Sequence, residues 1–236
     1  PPSIDEHADQ IADGFWSDAR PAPSGDRPDP SRPFEGLRVL DFGIGGVGVE
    51  AARFFADYGA DVIKVESRTY PDFIRVVMST EMSASFASSN RSKRGFGVNL
   101  KNKQGLALVH EIAKHVDVVT ENGSTGMMSA MGVSYEHLSE TNPNLVMASS
   151  QLLGNHGAWA DWIGYGPSTQ PIGGLAYLWD YQEEGLPAGS TSIFPDHLAG
   201  RLLSISALAG LIRRERTGKG AHTSVAQAEA VAQIIG

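Results

Sequence analysis

One acidic residue near the C-terminal end stands where an ionised carboxylate could act as a nucleophile. Asp196 follows Pro195 and a short strand-like run, and it precedes a long apolar stretch with helical character. The N-terminus of a helix favours a carboxylate, because the helix dipole and free N–H groups stabilise negative charge. An ionised aspartate can attack an acyl carbon and form a covalent intermediate. Asp is also among the commonest helix N-caps, so ordinary capping is the alternative interpretation of Asp196.

A glycine-rich turn is the second feature that could bind a ligand. Residues 43–48 read Gly-Ile-Gly-Gly-Val-Gly, which is the G-x-G-x-x-G spacing of dinucleotide-binding loops. Glu66 lies where such a site places the carboxylate that binds a ribose. The same glycines suit any tight turn between a strand and a helix, and Glu66 could instead pair with Lys64 or Arg68. Both interpretations of the loop therefore stay open at this point.

The composition limits the classes of function. The chain has 236 residues, of which 41% are hydrophobic and 19% are charged, so it can bury the core of a large domain. Its formal net charge of −8 argues against broad binding to nucleic-acid phosphates. Cysteine is absent and the histidines show no metal-ligand spacing, so we expect no metal centre. Because neither a membrane-spanning run nor a signal segment is present, we expect a cytoplasmic protein that does not associate with membranes.

Composition also divides the chain into two parts. Residues 1–33 are rich in proline, aspartate, serine and arginine, which predicts a linker or arm that does not fold alone. Phe15 and Trp16 could fix this arm to a neighbouring surface. Residues 34–236 carry alternating strand and helix patterns and form the second part. Since the chain does not begin with Met and ends soon after a helix starts at Gln227, we expect a piece of a longer polypeptide.

The order of the predicted elements indicates the fold class. Strand patterns cover residues 38–42, 61–66, 97–100, 116–121, 145–150 and 223–226, and helical patterns cover residues 49–58, 104–115, 127–131, 135–140 and 197–217. Repeated strand–helix units with largely apolar strands predict a parallel sheet that is covered on both faces. The expected fold is a Rossmann-like, doubly wound α/β domain with a mostly parallel sheet, incomplete at its C-terminal end.

Several sequence blocks, in order along the chain, resemble a known family. They are residues 34–42, 58–66, 90–94, 98–101, 117–122, 131–133, 196–200 and 216–220. Together they resemble the N-terminal half of the class III CoA-transferases, the group of formyl-CoA transferase, carnitine CoA-transferase and α-methylacyl-CoA racemase. The resemblance implies a Rossmann-like large domain and acyl-CoA and a small carboxylic acid as substrates. It also implies an interlocked homodimer, or a second module of the same polypeptide in a tandem fusion.

The resemblance assigns roles to residues around the candidate nucleophile. Asp196 matches the family's catalytic aspartate, which attacks a thioester, carries CoA as an aspartyl thioester and passes it to an acceptor acid. We expect the helix N-terminus to keep the pKa of Asp196 low. The racemases have a catalytic His where this chain has Tyr165, and relatives have an acidic residue at the position of Gly166. Racemisation is therefore disfavoured, because Tyr is a poor base near neutral pH.

Family contacts to CoA fall on short segments of this chain. They correspond to Gly46, Val47, Val98, Asn99, Leu100, Lys101, Asn122, Gly123, Ser124, Trp162, Ile163, Gly164 and Tyr165. Trp159 and Trp162 could line the acyl or pantetheine path, or they could be packed in the core.

This chain differs from the family at two positions that would supply positive charge to the nucleotide end of CoA. Two arginines of the relatives correspond here to Ser67 and Ala130. Nearby cations could replace them, since phosphates accept point charges from several directions. The candidates are Arg68, Arg75, Arg91 and Lys93.

Three functions follow from these observations. The leading hypothesis is CoA transfer between an acyl-CoA and a carboxylic acid through a covalent intermediate on Asp196. The second is a non-catalytic module of a fused or dimeric CoA-transferase, motivated by Ser67 and Ala130. The third is an NAD-binding oxidoreductase, supported only by the glycine spacing and Glu66.

Overall fold

The computed structural model describes residues 1–13, 29–77, 82–181, 183, 185, 189 and 193–235. In these residues the centre of the molecule is a six-stranded sheet in the order β3-β2-β1-β4-β5-β6, with all neighbours parallel. The strands are β1 (Arg38–Asp41), β2 (Asp61–Glu66), β3 (Arg94–Gly97), β4 (Val118–Glu121), β5 (Val146–Gln151) and β6 (Ala221–Ala226). The predicted Rossmann-like, doubly wound α/β fold is confirmed.

Helices connect the strands and cover the sheet. In chain order they are α1 (Ala8–Ala12), α2 (Val47–Asp57), α3 (Phe73–Val76), α4 (Ala84–Ser89), α5 (Lys103–Ala113), α6 (Met127–Ala130), α7 (Tyr135–Ser139), α8 (Gly166–Ile172), α9 (Leu175–Leu178), α10 (Phe194–Thr217) and α11 (Gln227–Ile235). Of the helices that the structure describes, none is long and apolar enough to cross a lipid bilayer.

The apolar strands are explained by two separate cores, one on each face of the sheet. Consecutive strand residues point to opposite faces. Accordingly Val39 packs with α2 and α10, whereas Leu40 packs with α5 and α7. Val118 and Val119 divide in the same way between the two cores. A strand that is buried on both faces must be apolar at successive positions, which is why these strands lack a polar alternation.

The third strand lies earlier than the sequence indicates. Residues 97–100 are predicted as a strand, but β3 pairs with β2 from Arg94 to Gly97. After Gly97 the chain turns, because Asn99 Oδ1 accepts a hydrogen bond from the Lys101 N–H and Asn102 caps α5. Asparagine favours such turns through its side-chain oxygen. The prediction of a strand over residues 97–100 is therefore wrong.

The first residues of the chain lie against β3. The His7 N–H donates to the Gly95 carbonyl at 3.1 Å, and the Gly97 N–H donates to Asp5 Oδ1 at 3.0 Å. Ile11 is buried in the core on the α5 face. A side-chain carbon on Gly95 would collide with the Ser3 carbonyl, so glycine is required there. Residues 1–13 are therefore a docked segment, while Phe15 and Trp16 lie outside the described residues and the domain boundary at residue 33 stays a prediction.

Candidate functional site

Asp196 lies in the first turn of α10, beside the carboxyl ends of the strands. The helix begins at Phe194, three residues earlier than predicted, and its N-cap residue is Ile193. The Asp196 N–H donates to the Ile193 carbonyl at 3.0 Å, and no side chain caps the helix. Asp196 is not the N-cap, so the alternative interpretation as a capping residue is wrong.

Two glycines make room for the Asp196 carboxylate. A side-chain carbon on Gly46 would lie 2.6 Å from Asp196 Cγ, and one on Gly166 would overlap both carboxylate oxygens. Gly46 belongs to the glycine loop after β1, and Gly166 begins α8. An acidic side chain at position 166 cannot coexist with this placement of Asp196.

Burial controls the protonation of Asp196. Asp196 is only 8% exposed, and this burial raises the pKa of its carboxyl to about 6. Of two smaller effects, the charge of His197 lowers this pKa and the charge of Glu50 raises it. The expectation of a low pKa is therefore wrong, because the desolvation of the charged form outweighs the favourable helix terminus. At pH 7 most Asp196 side chains are still ionised, and a carboxylate with this pKa is more basic than an ordinary aspartate.

A cavity of about 380 Å³ lies against Asp196. It is lined by the glycine loop, by the loop after β4 and by the segment that leads into α8. The predicted CoA-contacting residues that line it are Gly46, Asn122, Gly123, Ser124, Trp162, Ile163, Gly164 and Tyr165. We call this space the first cavity.

A second cavity of about 400 Å³ lies at the ends of β1 and β2. Four further residues that are predicted to contact CoA line it, namely Val98, Asn99, Leu100 and Lys101. Ile44 and Met127 line both cavities, so the two spaces adjoin. Val47 lines neither of them, because it is fully buried in the core between α2 and α10. The predicted contact between CoA and Val47 is therefore not supported by its position.

Side-chain acceptors occupy the N–H groups of the glycine loop. The Gly43 N–H donates to Asp41 Oδ1 at 2.7 Å, and the Ile44 N–H donates to Asn122 Oδ1 at 2.8 Å. The Gly45 N–H donates to both oxygens of Asp72, at 3.0 and 3.1 Å. A phosphate-binding loop needs free N–H groups, whereas these three are satisfied, two of them by carboxylates. The glycines allow the tight turn after β1 and the close contact between Gly46 and Asp196. Since the N–H groups of Gly43, Ile44 and Gly45 already have acceptors, the loop is unlike a dinucleotide-binding site.

Glu66 and three of the four candidate cations already have partners. Glu66 forms a buried ion pair with Arg75 at 2.7 Å rather than with Lys64 or Arg68, so it is not available to bind a ribose. Lys93 is buried against Asp41 at 2.8 Å, and Arg91 pairs with Asp57 at 2.6 Å. Arg68 is exposed beside Ser67 and Thr69, both of which line the second cavity. Arg68 and Lys101 are thus the cations best placed to meet a phosphate.

The two tryptophans are exposed rather than packed in the core. Trp159 and Trp162 are 58% and 61% exposed and stack on each other with ring centroids 5.7 Å apart. Trp162 lines the first cavity, as does Tyr165, whose ring contacts Phe73 at a centroid distance of 5.6 Å. An aromatic wall therefore borders the mouth of the first cavity.

Two buried acids of the site, Asp72 and Glu50, are not apparent as site residues from the sequence alone. Asp72 anchors the glycine loop and also caps α3 through the Ile74 N–H. Glu50 lies on α2 with its side chain 1% exposed, and His197 Nδ1 is 3.4 Å from its Oε2. The sequence did contain an indication of Glu50, because a charged residue on the otherwise apolar face of α2 is unusual. Pro71 and Asp72 before a short apolar run were the signal for a cap, but the partner loop cannot be read from that pattern.

Comparison with known proteins identifies the family. A probable CoA-transferase of Mycobacterium tuberculosis is 42% identical over 207 residues, covering 84% of this chain and 26% of that protein. Succinate–glutarate CoA-transferase of Agrobacterium fabrum is 31% identical over 220 residues, covering 89% of this chain and 54% of that protein.

A solved structure shows the same fold. The crystal structure of a CAIB/BAIF family protein from Brucella suis matches with a TM-score of 0.82 and 30% identity, over 87% of this chain and 56% of that chain. The chain spans about half the length or less of these relatives. The family model of CoA-transferase family III matches residues 34–236, and the chain belongs to that family.

Proposed function

We propose that this chain forms the part of an acyl-CoA:carboxylate CoA-transferase that carries the nucleophile, Asp196. The observation that carries the proposal is the buried carboxylate with a pKa of about 6, placed between two glycines on the wall of the first cavity. Its charge at neutral pH and its basicity suit attack on an acyl carbon. The relatives' names, which describe CoA transfer between acids, support the same reaction class.

The reaction has balanced steps that one carboxylate can carry. An oxygen of Asp196 attacks the thioester carbonyl, the C–S bond breaks, and an acyl–aspartyl anhydride and CoA thiolate result. The thiolate attacks the aspartyl carbonyl, which releases the first acid as a carboxylate and leaves CoA on Asp196 as a thioester. The acceptor carboxylate attacks the carbonyl of this thioester, the C–S bond breaks, and a second anhydride between the acceptor and Asp196 forms as the CoA thiolate leaves. The thiolate then attacks the acceptor's acyl carbon, which yields the new acyl-CoA and regenerates Asp196.

The two cavities suggest how the substrate lies. We place the thioester and the acid in the first cavity, since Asp196 is on its wall. We place the distal end of CoA in the second cavity, where Lys101 can meet a phosphate. The adjoining residues Ile44 and Met127 would then contact the pantetheine arm.

The assembly and location of the whole protein also belong to this proposal. Because the chain spans about half of its relatives, we propose that a partner subunit or a second module of the same polypeptide completes the site, in an interlocked homodimer or a fused enzyme. The absence of cysteine is compatible with a cytoplasmic location.

Covalent capture tests the proposal. The full-length protein is incubated with succinyl-CoA or another short acyl-CoA, and its intact mass is measured with and without hydroxylamine, which cleaves anhydrides and thioesters. We expect an acyl or CoA adduct on the wild type and its loss in Asp196→Ala. Asp161→Asn, an exposed carboxylate near the first cavity, serves as the matched control and should keep the adduct. An adduct that persists in Asp196→Ala contradicts the proposal.

A non-catalytic module is the second candidate. Ser67, at a position where the family resemblance implies an arginine, lines the second cavity, and Arg75 and Lys93 are already paired with acids. With these two cations already paired, fewer positive charges among the described residues can meet the phosphates of CoA, which favours weak binding. Calorimetric titration with CoA separates the two candidates, because a folded module without binding heat would support the non-catalytic role.

A further inference from the structure

We propose that Glu50 and His197 are positioning residues that set the basicity of the Asp196 carboxylate, and that they act on it in opposite directions. This inference rests on the proposed role of Asp196 as the nucleophile.

Glu50 lies directly under the start of α10. A side-chain carbon on Gly200 would be 2.7 Å from Glu50 Cβ, so the missing side chain at position 200 lets the two helices approach closely. Gly200 is four residues after Asp196, which places both residues on the same face of α10. The acid on α2 is therefore held one helical turn from the nucleophile.

The buried carboxylate of Glu50 has neighbours at both of its oxygens. Its Oε1 accepts a hydrogen bond from Ser89 Oγ at 3.0 Å, and Arg53 Nη2 lies 2.6 Å from its Oε2. Within the described parts of the chain, however, Glu50 Oε2 and Arg53 Nε have no partner in hydrogen-bonding geometry. Glu50 and Arg53 form a close ion pair, and the field of such a pair is screened only weakly in a low-dielectric interior.

His197 connects this charge to Asp196. It is the next residue along α10, its side chain is about half exposed, and its Nδ1 lies 3.4 Å from Glu50 Oε2. A protonated imidazole beside Asp196 stabilises the ionised carboxylate, whereas the carboxylate of Glu50 opposes it. The pKa of Asp196 supports this arrangement, since after burial His197 and Glu50 are the groups that shift it, downwards and upwards respectively.

Among the described residues, the other charged groups on α10 and on the elements packed against it are not among the groups that shift the pKa of Asp196. They are Arg53 and Asp57 on α2, His222 on β6, Glu229 on α11, and Arg201, Arg213, Arg214, Glu215 and Arg216 on α10. The residues of β5 and α8 carry no ionisable side chain, and Tyr165 precedes α8. The pair formed by Glu50 and His197 is thus the local control of the nucleophile.

The test uses two variants with opposite expected effects. In the full-length protein with ¹³C-labelled aspartate, the carboxyl signal of Asp196 is titrated by NMR in the wild type, Glu50→Gln and His197→Gln. We expect the midpoint to fall in Glu50→Gln and to rise in His197→Gln. Glu229→Gln, which removes a carboxylate from another helix packed on α10, should leave the midpoint unchanged.

A kinetic readout follows the same signs. The rate of adduct formation from an acyl-CoA is measured as a function of pH. The low-pH side of this pH–rate profile should shift to lower pH in Glu50→Gln and to higher pH in His197→Gln. If the two residues had a purely structural role, both variants would react more slowly, but their pH–rate profiles would not shift in opposite directions along the pH axis. Midpoints that stay fixed, or that move in the same direction in both variants, overturn the inference.

Two further outcomes are informative. If Glu50→Gln does not fold, the half-exposed His197 still gives a test, since a midpoint that does not rise in His197→Gln contradicts the inference. Opposite NMR shifts without any adduct would support the inference while removing the proposed function.

Discussion

The carboxylate of Asp72 holds the Gly45 N–H with both of its oxygens, at 3.0 and 3.1 Å, and thereby fixes the turn that carries Gly46 against Asp196. The same carboxylate lies 3.3 Å from the buried ammonium of Lys64. One acid therefore holds both the glycine loop and a charge at the end of β2.

Replacing Asp72 should destabilise the protein. In Asp72→Ala, the Gly45 N–H and Lys64 lose a buried partner, and removing one member of a buried ion pair costs about 3 kcal/mol. Urea unfolding measures the loss. Asp72→Asn keeps an acceptor for the Gly45 N–H and should lose less. Equal stability of all three proteins would show that the contact does not hold the loop.

Adding one carbon at the glycines beside Asp196 should impair the reaction more than the fold. Gly46→Ala and Gly166→Ala place Cβ within 3 Å of the carboxylate, which must then move. Displacement of a reacting group by about 1 Å costs about 100-fold in rate. The rate of adduct formation is the measurement. Gly189→Ala, where no atom of the described residues lies within 4 Å of the added carbon, is the control and should react at the wild-type rate.

Removing the charge of Asp196 should stabilise the fold at neutral pH. The folded-state pKa of about 6 lies above the ordinary value of 3.8, so the fold prefers the protonated form. The stability that the protonated carboxyl provides is present below about pH 4 and is lost as pH rises through 6, by about 3 kcal/mol in total.

Asp196→Asn should therefore raise the melting temperature at pH 7 and flatten the stability difference between pH 4 and pH 7. Thermal unfolding across this pH range measures both effects. Asp161→Asn, which changes an exposed carboxylate, should leave the pH profile unchanged. A lower melting temperature of Asp196→Asn at pH 7 would contradict the assigned pKa.

Lys101 should contribute to CoA binding. Its side chain lines the second cavity and lies over the Tyr70 ring, with Nζ 5.1 Å from the centroid. A hydrogen bond to a charged group contributes about 1.5 kcal/mol, so Lys101→Ala should raise the Kd for CoA about tenfold. The effect should weaken at high salt.

Lys103→Ala provides the matched control for this titration, because Lys103 is exposed on α5 and does not line the cavity. Calorimetry with CoA gives both dissociation constants. If the two variants bind equally well, Lys101 does not contact the phosphates.

The sequence predicts the sheet well because burial on both faces forces successive apolar residues, as at Val118 and Val119. It also predicts Asp196 and twelve residues that line one or the other cavity, although most of the lining residues are not among those predicted. It does not predict that Asp72 binds Gly45 or that Glu50 meets His197, since these partners are brought together only by the packing of distant elements. The prediction of a low pKa for Asp196 is wrong for a similar reason. The sequence indicates that this residue lies at a helix terminus, but it does not show how deeply the carboxyl is buried.

The docked N-terminal segment has a consequence for how the sheet can be extended. Residues 1–7 cover the β3 side through Gly95 and Gly97, which closes that border to main-chain pairing with another strand. On the opposite border, β6 pairs only with β5 among the residues that the structure describes. Any additional strand from elsewhere in the protein can therefore join at one border alone, and the sheet can grow in a single direction.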